Sequence, residues 1–142
     1  MATLTRQQAN TLLFEGVQSD LQQAGAIEAL LERQFEAAVR HRSAELTELA
    51  EELAPLLEAM DGRRQQRVTL VRALLGGNAT MDAYIATLAP APRSAFIDAW
   101  RDLEALVRLC KDATIRNGKL LAEQHSVMQR VLHGEEQIYA PR

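Results

Sequence analysis

The sequence predicts an all-α protein, an elongated antiparallel bundle of long helices with coiled-coil-like packing. Two observations carry that reading. Apolar residues make up 47% of the chain but aromatics only 4%, so the core material is mostly Leu, Ala and Val. Leu and Ala are strong helix formers, and the aromatic and β-branched residues that strands favour are sparse. Apolar positions also recur at spacings of three and four through long stretches, the period of a helix with one buried face. At 142 residues the chain has the size of one domain. Residues 1–142 read as a single helical unit, with helices at about 5–40, 44–75, 80–88 and 94–133 and a loose tail at 134–142.

The first helix opens at Thr5. Thr5 and Gln8 have the spacing of a capping box, in which each side chain satisfies an orphan backbone donor of the first turn. Leu13, Val17, Leu21, Ala24, Leu31, Phe35 and Ala38 then form its apolar face. The cluster Arg40-His41-Arg42-Ser43 reads as the break, with Ser43 as cap of the next helix. That second helix carries Leu46, Leu49, Leu53, Leu56, Met60, Val68, Val71 and Leu75. Pro55 lies inside it and is expected to kink it or mark a boundary. Its early turns hold Glu45, Glu48, Glu51, Glu52 and Glu58, and its later ones Arg63, Arg64, Arg67 and Arg72, an order that complements the helix dipole. Gly76-Gly77-Asn78 supplies a stop that tolerates the left-handed conformation. Thr80 caps a short helix, Pro90 and Pro92 break the chain, and the last helix is expected from about Ser94 to His133, with Gly134 as its stop.

The last helix is the most informative. Phe96, Trp100, Leu103, Val107, Cys110, Thr114, Asn117, Leu121, Gln124, Met128 and Val131 alternate spacings of four and three, a heptad seam. Phe96 to Val131 would span about 53 Å, so an end is expected to protrude. The seam is apolar as far as Cys110. Thr114, Asn117 and Gln124 then interrupt it, and a polar seam residue costs stability while fixing register or partner choice. The first half is therefore assigned to the protein's own core and the second half to a partner-binding surface.

Chemistry-bearing motifs are missing from the sequence. Gly76-Gly77 has no following Gly-Lys-Ser/Thr and is not a phosphate loop. His41, His125 and His133 are scattered, and no Cys/His spacing fits zinc. Cys110, the one cysteine, sits on the apolar seam and reads as a structural thiol; a single thiol makes no internal disulfide, which suits a reducing compartment. Glu135 and Glu136 are adjacent carboxylates near the terminus and do not make an acid–base dyad. Arg63-Arg64-Arg67 reads as a dipole-complementing run rather than a phosphate patch, because the formal net charge is −3 and nucleic-acid binders carry a basic excess. No secretion signal is expected, because the first residues lack a basic stretch followed by an apolar core, and no apolar run reaches about 20 residues, the length a membrane helix needs. No enzyme, cofactor or metal is expected, and no nucleic-acid partner. The expected place is the cytoplasm, and the expected activity is holding another polypeptide through amphipathic helices.

The stretch Cys110-Lys-Asp-Ala-Thr-Ile-Arg-Asn-Gly-Lys-Leu-Leu121 resembles the FlgN family of flagellar type III export chaperones, whose pattern is a helix carrying Asn-x-x-Asn-Gly followed by apolar residues. Asn117 and Gly118 match it; Thr114 stands where the family often has the first Asn. The ending Gln137-Ile-Tyr-Ala-Pro-Arg142 is similar to the family's, with Tyr139 at the tyrosine and Ala140 where Gly is common. The first two helices look like the family's long Leu/Glu/Arg-rich hairpin. The resemblance implies binding of the C-terminal helical segments of hook–filament junction (hook-associated) proteins, and delivery of them to the cytoplasmic domain of the membrane export gate, where the protein would act transiently. It implies substrate-protein binding at Thr114, Asn117, Gly118, Leu121, Gln124, Met128 and Val131, and export-gate docking at Tyr139. The alternative is a structural coiled-coil module that associates with itself through the heptad seam.

Overall fold

A computed structural model describes residues 4–139, with side chains described from Leu4 to Gly134. Four helices follow in order: α1 (Arg6–Val39), α2 (Ser43–Leu75), α3 (Met81–Ala86) and α4 (Pro90–Tyr139). The all-α bundle expected from composition and periodicity is present, and no strand occurs among the described residues.

Local chemistry sets the boundaries. Thr5 accepts from the Gln8 backbone N–H at 3.1 Å, and the Gln8 side chain accepts from the Thr5 N–H at 2.9 Å, completing the capping box. At the other end of α1, His41 takes a left-handed φ of 55°. Its N–H donates to the Ala38 carbonyl and that of Arg42 donates to the Ala37 carbonyl, the paired reverse bonds of a Schellman stop. Ser43 is not the cap expected of it. Arg42 occupies that position without a side-chain cap bond, and Ser43 is already the first helical residue, because the two reverse bonds end α1 tightly enough for α2 to begin at once. The helix α2 runs unbroken through Pro55. It ends where Gly76 and Gly77 adopt φ of 78° and 57°, values that only glycine takes without strain. Thr80 caps α3 by accepting from the Ala83 N–H at 3.1 Å.

The last helix is longer than its sequence suggests at both ends. Pro90 is its first residue; in the first turn a proline withdraws a donor that would have no partner anyway, and its fixed φ suits the helix. Pro92 lies in the same turn. Gly134 does not stop the helix, which continues to Tyr139. A glycine permits a left-handed exit without requiring one, and Glu135, Glu136 and Gln137 beyond it are good helix formers. The expectation of a loose tail is therefore corrected as far as Tyr139; residues 140–142 lie outside the described residues.

Consecutive long helices run antiparallel, and α1 is the central one. It packs against both α2 and α4. Among the described residues α2 and α4 make no close backbone approach to each other. The core has two parts. The larger gathers Leu13, Val17, Ala24, Val71, Tyr84, Ile85, Leu88, Phe96 and Leu103 at the end where α3 crosses over. There the Phe96 ring meets Phe14 at 5.4 Å and Tyr84 at 5.6 Å, and the Tyr84 hydroxyl donates to Asn10 Oδ1 at 2.5 Å. The smaller part gathers Ile27, Leu31, Leu53 and Ala113.

A buried carboxylate pins α2 to α1. Asp20 is 0% exposed and is clasped by Arg63 and by Arg67, the latter at 2.9 Å. The Arg63 guanidinium also donates to Gln23 Oε1 at 2.5 Å, and Arg67 lies over the Trp100 ring at 5.4 Å. Two arginines of the run read as a dipole complement are thus the partners of one buried acid; the third, Arg64, pairs at the surface with Asp61. Removing one member of a buried ion pair leaves the others charged and uncompensated, at a cost of about 3–5 kcal/mol. Asp20→Ala is expected to lower unfolding stability by about that amount in urea titrations, whereas Arg64→Ala, at an exposed pair, is expected to change it by less than about 1 kcal/mol. Equal effects of the two substitutions would contradict the clamp.

Candidate functional site

The seam of α4 resolves into two adjacent rows. The residues shared by both are Phe96, Leu103, Cys110, Asn117 and Gln124. One companion row, Ala99, Leu106, Ala113 and Leu120, is turned toward α1: Ala113 is buried and the other three half-buried. The other, Trp100, Val107, Thr114, Leu121 and Met128, is the row read from the sequence, and it is the more exposed. Val107 is 44% exposed and Met128 57%. A helical face about 100° wide or more takes in both rows, so both can be apolar while one is packed more closely than the other.

Polar side chains on the shared row fix the register. Cys110 Sγ lies 3.5 Å from the Ala24 carbonyl, Asn117 Nδ2 donates to the Leu31 carbonyl at 2.8 Å, and Gln124 Nε2 donates to the Ala38 carbonyl at 2.9 Å. Each pair is separated by 86 residues, so α1 and α4 run parallel and meet every seventh residue. Asn117 is 1% exposed. Its Nδ2 also donates to Gln34 Oε1 at 2.8 Å, and its Oδ1 accepts from Arg116 Nε at 3.1 Å. Arg116 in turn reaches Glu32 at 3.1 Å and covers the Phe35 ring at 4.1 Å. Asn117 and Gln124, two of the polar residues assigned to a partner surface, therefore spend their amides on α1. Thr114 is exposed and donates to the Cys110 carbonyl of its own helix at 2.8 Å. Burial raises the Cys110 thiol above its ordinary pKa, with the Glu28 carboxylate adding to the effect; the group stays protonated and is a poor nucleophile.

Two open apolar surfaces involve the more exposed row of α4. The first is a groove of about 580 Å³ between α2 and α4, floored by Ala24, Ile27 and Leu31 of α1, with Leu57 and Met60 on one wall and Trp100, Leu103 and Val107 on the other. The second is the end of α4. The 86-residue offset sets Val39, the last residue of α1, level with His125, so α4 runs on for about 20 Å beyond it. In that extension Val127, Met128, Val131 and Leu132 are each at least 50% exposed. Contiguous exposed apolar surface of this kind marks an interaction site more often than not. Of the sequence-assigned residues, Thr114, Gly118, Met128 and Val131 are exposed, Leu121 and Gln124 half-buried and Asn117 buried. Tyr139 closes α4, and its side chain lies outside the described residues. The groove's contributions from α1 and α2 could not be found from the α4 pattern alone.

Among the described residues no group of three His, Cys, Asp or Glu could hold a metal ion, and no helix is long and apolar enough to cross a membrane. Replacing Asn117 removes a buried donor to two acceptors and is expected to cost about 1–3 kcal/mol. Asn117→Ala should therefore lower the thermal midpoint well below that of Thr114→Ala, which loses only an exposed bond within its own helix. Equal melting of the two variants would contradict the register role given to Asn117.

Comparison with known proteins bears on these surfaces. Searches of curated proteins and of solved structures gave no match. The model of one family, described as FlgN protein, matches residues 9–134. That span takes in the α1–α2 hairpin, the groove, the Asn117 register contact and most of the exposed extension, and with it the chain belongs to the FlgN family, the flagellar export chaperones.

Proposed function

We propose that this chaperone binds the C-terminal helical segments of hook–filament junction proteins along α4, keeps them from associating before export, and delivers them to the cytoplasmic domain of the export gate. The observation that carries the reading is the unpacked apolar row of α4. Thr114, Leu121, Met128 and Val131 form a strip at heptad spacing, with Met128 and Val131 each more than half exposed. Gly118 lies beside it without a side chain, leaving room for close approach. Asn117 and Gln124 support the strip from beneath by holding α4 on α1.

The physics of the complex follows. An axial subunit's terminal segment, unassembled, has one amphipathic face and no neighbour to cover it. Laid on the strip, that face is removed from water by a helix-to-helix contact. The segment must become ordered to bind, which offsets part of the gain and keeps the affinity moderate, so release at the gate needs no nucleotide on the chaperone. Tyr139, at the far end of the same helix, is the proposed contact with the gate. A tyrosine serves well as an anchor, because it buries a large area with few rotatable bonds. The complex forms in the cytoplasm and meets the export apparatus transiently.

Isothermal calorimetry with a C-terminal helical fragment of a junction protein is expected to show a one-to-one complex. Met128→Glu and Val131→Glu, both at exposed positions, should each weaken it at least about tenfold, or about 1.4 kcal/mol, while leaving the thermal midpoint unchanged. Tyr139→Ala should leave fragment binding intact and weaken binding to the gate's cytoplasmic domain. Failure to bind any axial fragment contradicts the chaperone–client reading; equal loss of both partners in Tyr139→Ala contradicts the division of labour.

A further inference from the structure

We propose that the client helix does not end on the projecting part of α4 but continues into the groove between α2 and α4, where it forms the fourth helix of a local bundle. This rests on the client reading above and extends its site to α1 and α2. The occupant is an amphipathic helix with an apolar row at heptad spacing, a Lys or Arg on its flank opposite Glu104, and an acidic residue seven positions away opposite Lys111.

Continuity is the first argument. Trp100, Val107, Thr114, Leu121 and Met128 make one row that starts in the groove and ends on the extension, a length of about 42 Å. A helix seated on Leu121 and Met128 and following that row enters the groove without changing direction. The groove then offers it contacts from three helices in place of one: Ile27 and Leu31 below, Leu57 and Met60 on α2, and Val107 on α4. Helices that pack by inserting knobs into holes need holes built by neighbouring side chains, and the groove supplies them where the extension cannot.

Charge is the second argument. Glu104 lies on the α4 wall of the groove, and its Oε1 is buried without a hydrogen-bond partner. The nearest cation, Arg101 Nη1, stands 3.6 Å away, beyond hydrogen-bond reach. The Glu104 side chain is nonetheless 36% exposed, so a cation on the occupant's flank can pair with its carboxylate at the groove wall. Lys111 lies on the same wall two turns further on. The wall thus presents an acid and a base seven residues apart, complementary to a helix carrying the opposite pair at the same spacing. Flanking pairs of this kind set partner choice and orientation in packed helices.

The chain contains one tryptophan, and Trp100 lines the groove, so its fluorescence reports occupancy directly. The probe is a tryptophan-free C-terminal helical fragment of a junction protein, titrated into the full chain. The expected result is a blue shift of Trp100 emission that saturates with the calorimetric isotherm. Val107→Glu and Leu57→Glu, at positions 44% and 51% exposed, should each weaken the fragment at least about tenfold. Glu104→Lys should weaken it several-fold, and Ile115→Glu, exposed on α4 away from the groove, should bind as the unaltered chain does. Calorimetric binding with unmoved Trp100 emission and unaltered affinity in both groove variants overturns the groove seat while leaving the chaperone–client reading intact. No binding to any fragment overturns both. An emission shift that grows with chaperone concentration alone assigns the groove to a second copy and overturns the proposal.

Discussion

Helix α4 is held against α1 in a register that repeats every seventh residue, through Cys110 on the Ala24 carbonyl, Asn117 on that of Leu31 and Gln124 on that of Ala38. Helical carbonyls keep a second lone pair after accepting a backbone N–H, and two amide side chains use it here. Such bonds are directional in a way that apolar contacts are not. Sliding α4 by one turn would still bury Leu and Ala against Leu and Ala, but it would strand the Asn117 amide in a buried position at a cost of about 1–3 kcal/mol. The polar residues on the seam therefore decide which of several comparable apolar packings is adopted. They also decide which row of α4 is turned away from α1 and left open.

The Asp20 clamp does the corresponding work on the other side of α1. Arg63 and Arg67 hold α2 on that acid, while Asn117 and Gln124 hold α4. With both neighbours fixed to the central helix and no close backbone approach between them, a gap separates α2 from α4. Arg67 bridges toward Trp100 at one end of this gap, and apolar side chains floor the rest. A protein selected only for stability would close such a groove and shorten a helix that overruns its neighbour. Membership of the FlgN family gives the open surface a reason: an export chaperone must keep apolar surface available for the proteins it binds.

Much of the architecture was legible in the chain, and the misses have physical causes. The Thr5–Gln8 box, the break at Arg40–Arg42, the Gly76 stop and the Thr80 cap each rest on local backbone chemistry, and local chemistry is what a sequence displays. Gly134 and Pro90 misled because each residue type tolerates two conformations, and neighbours choose between them. The α4 seam predicted from the sequence puts Val107 in the core; the structure leaves Val107 open, and Leu106, one position before it, packs instead. Both rows are largely apolar, and periodicity alone cannot tell the packed row from the open one. Asp20 carries a signal of its own in the sequence. It falls on the same stripe as Leu13, Val17, Ala24 and Leu31, and a lone acid on a buried stripe calls for a cation. Its partners lie more than 40 residues away, beyond the reach of any local pattern. Of the candidate surface, the sequence names the α4 residues from Thr114 onward; it does not name the groove, with Trp100 and Val107 on α4, Leu57 and Met60 on α2 and its α1 floor, because only the packing of three helices builds it.

Amide hydrogen exchange across α4, with and without a junction-protein fragment, tests the central idea that one row of this helix builds the fold and the other receives a client. In the free protein, amides from Phe96 to Gln124 should be protected to nearly the global stability, and those beyond His125 should exchange by local opening. On binding, the extension should gain protection while the Phe96–Gln124 segment stays as it was. Strong protection of the extension in the free monomer, or loss of the Asn117 region's protection when the fragment binds, would show that α4 is not divided in this way.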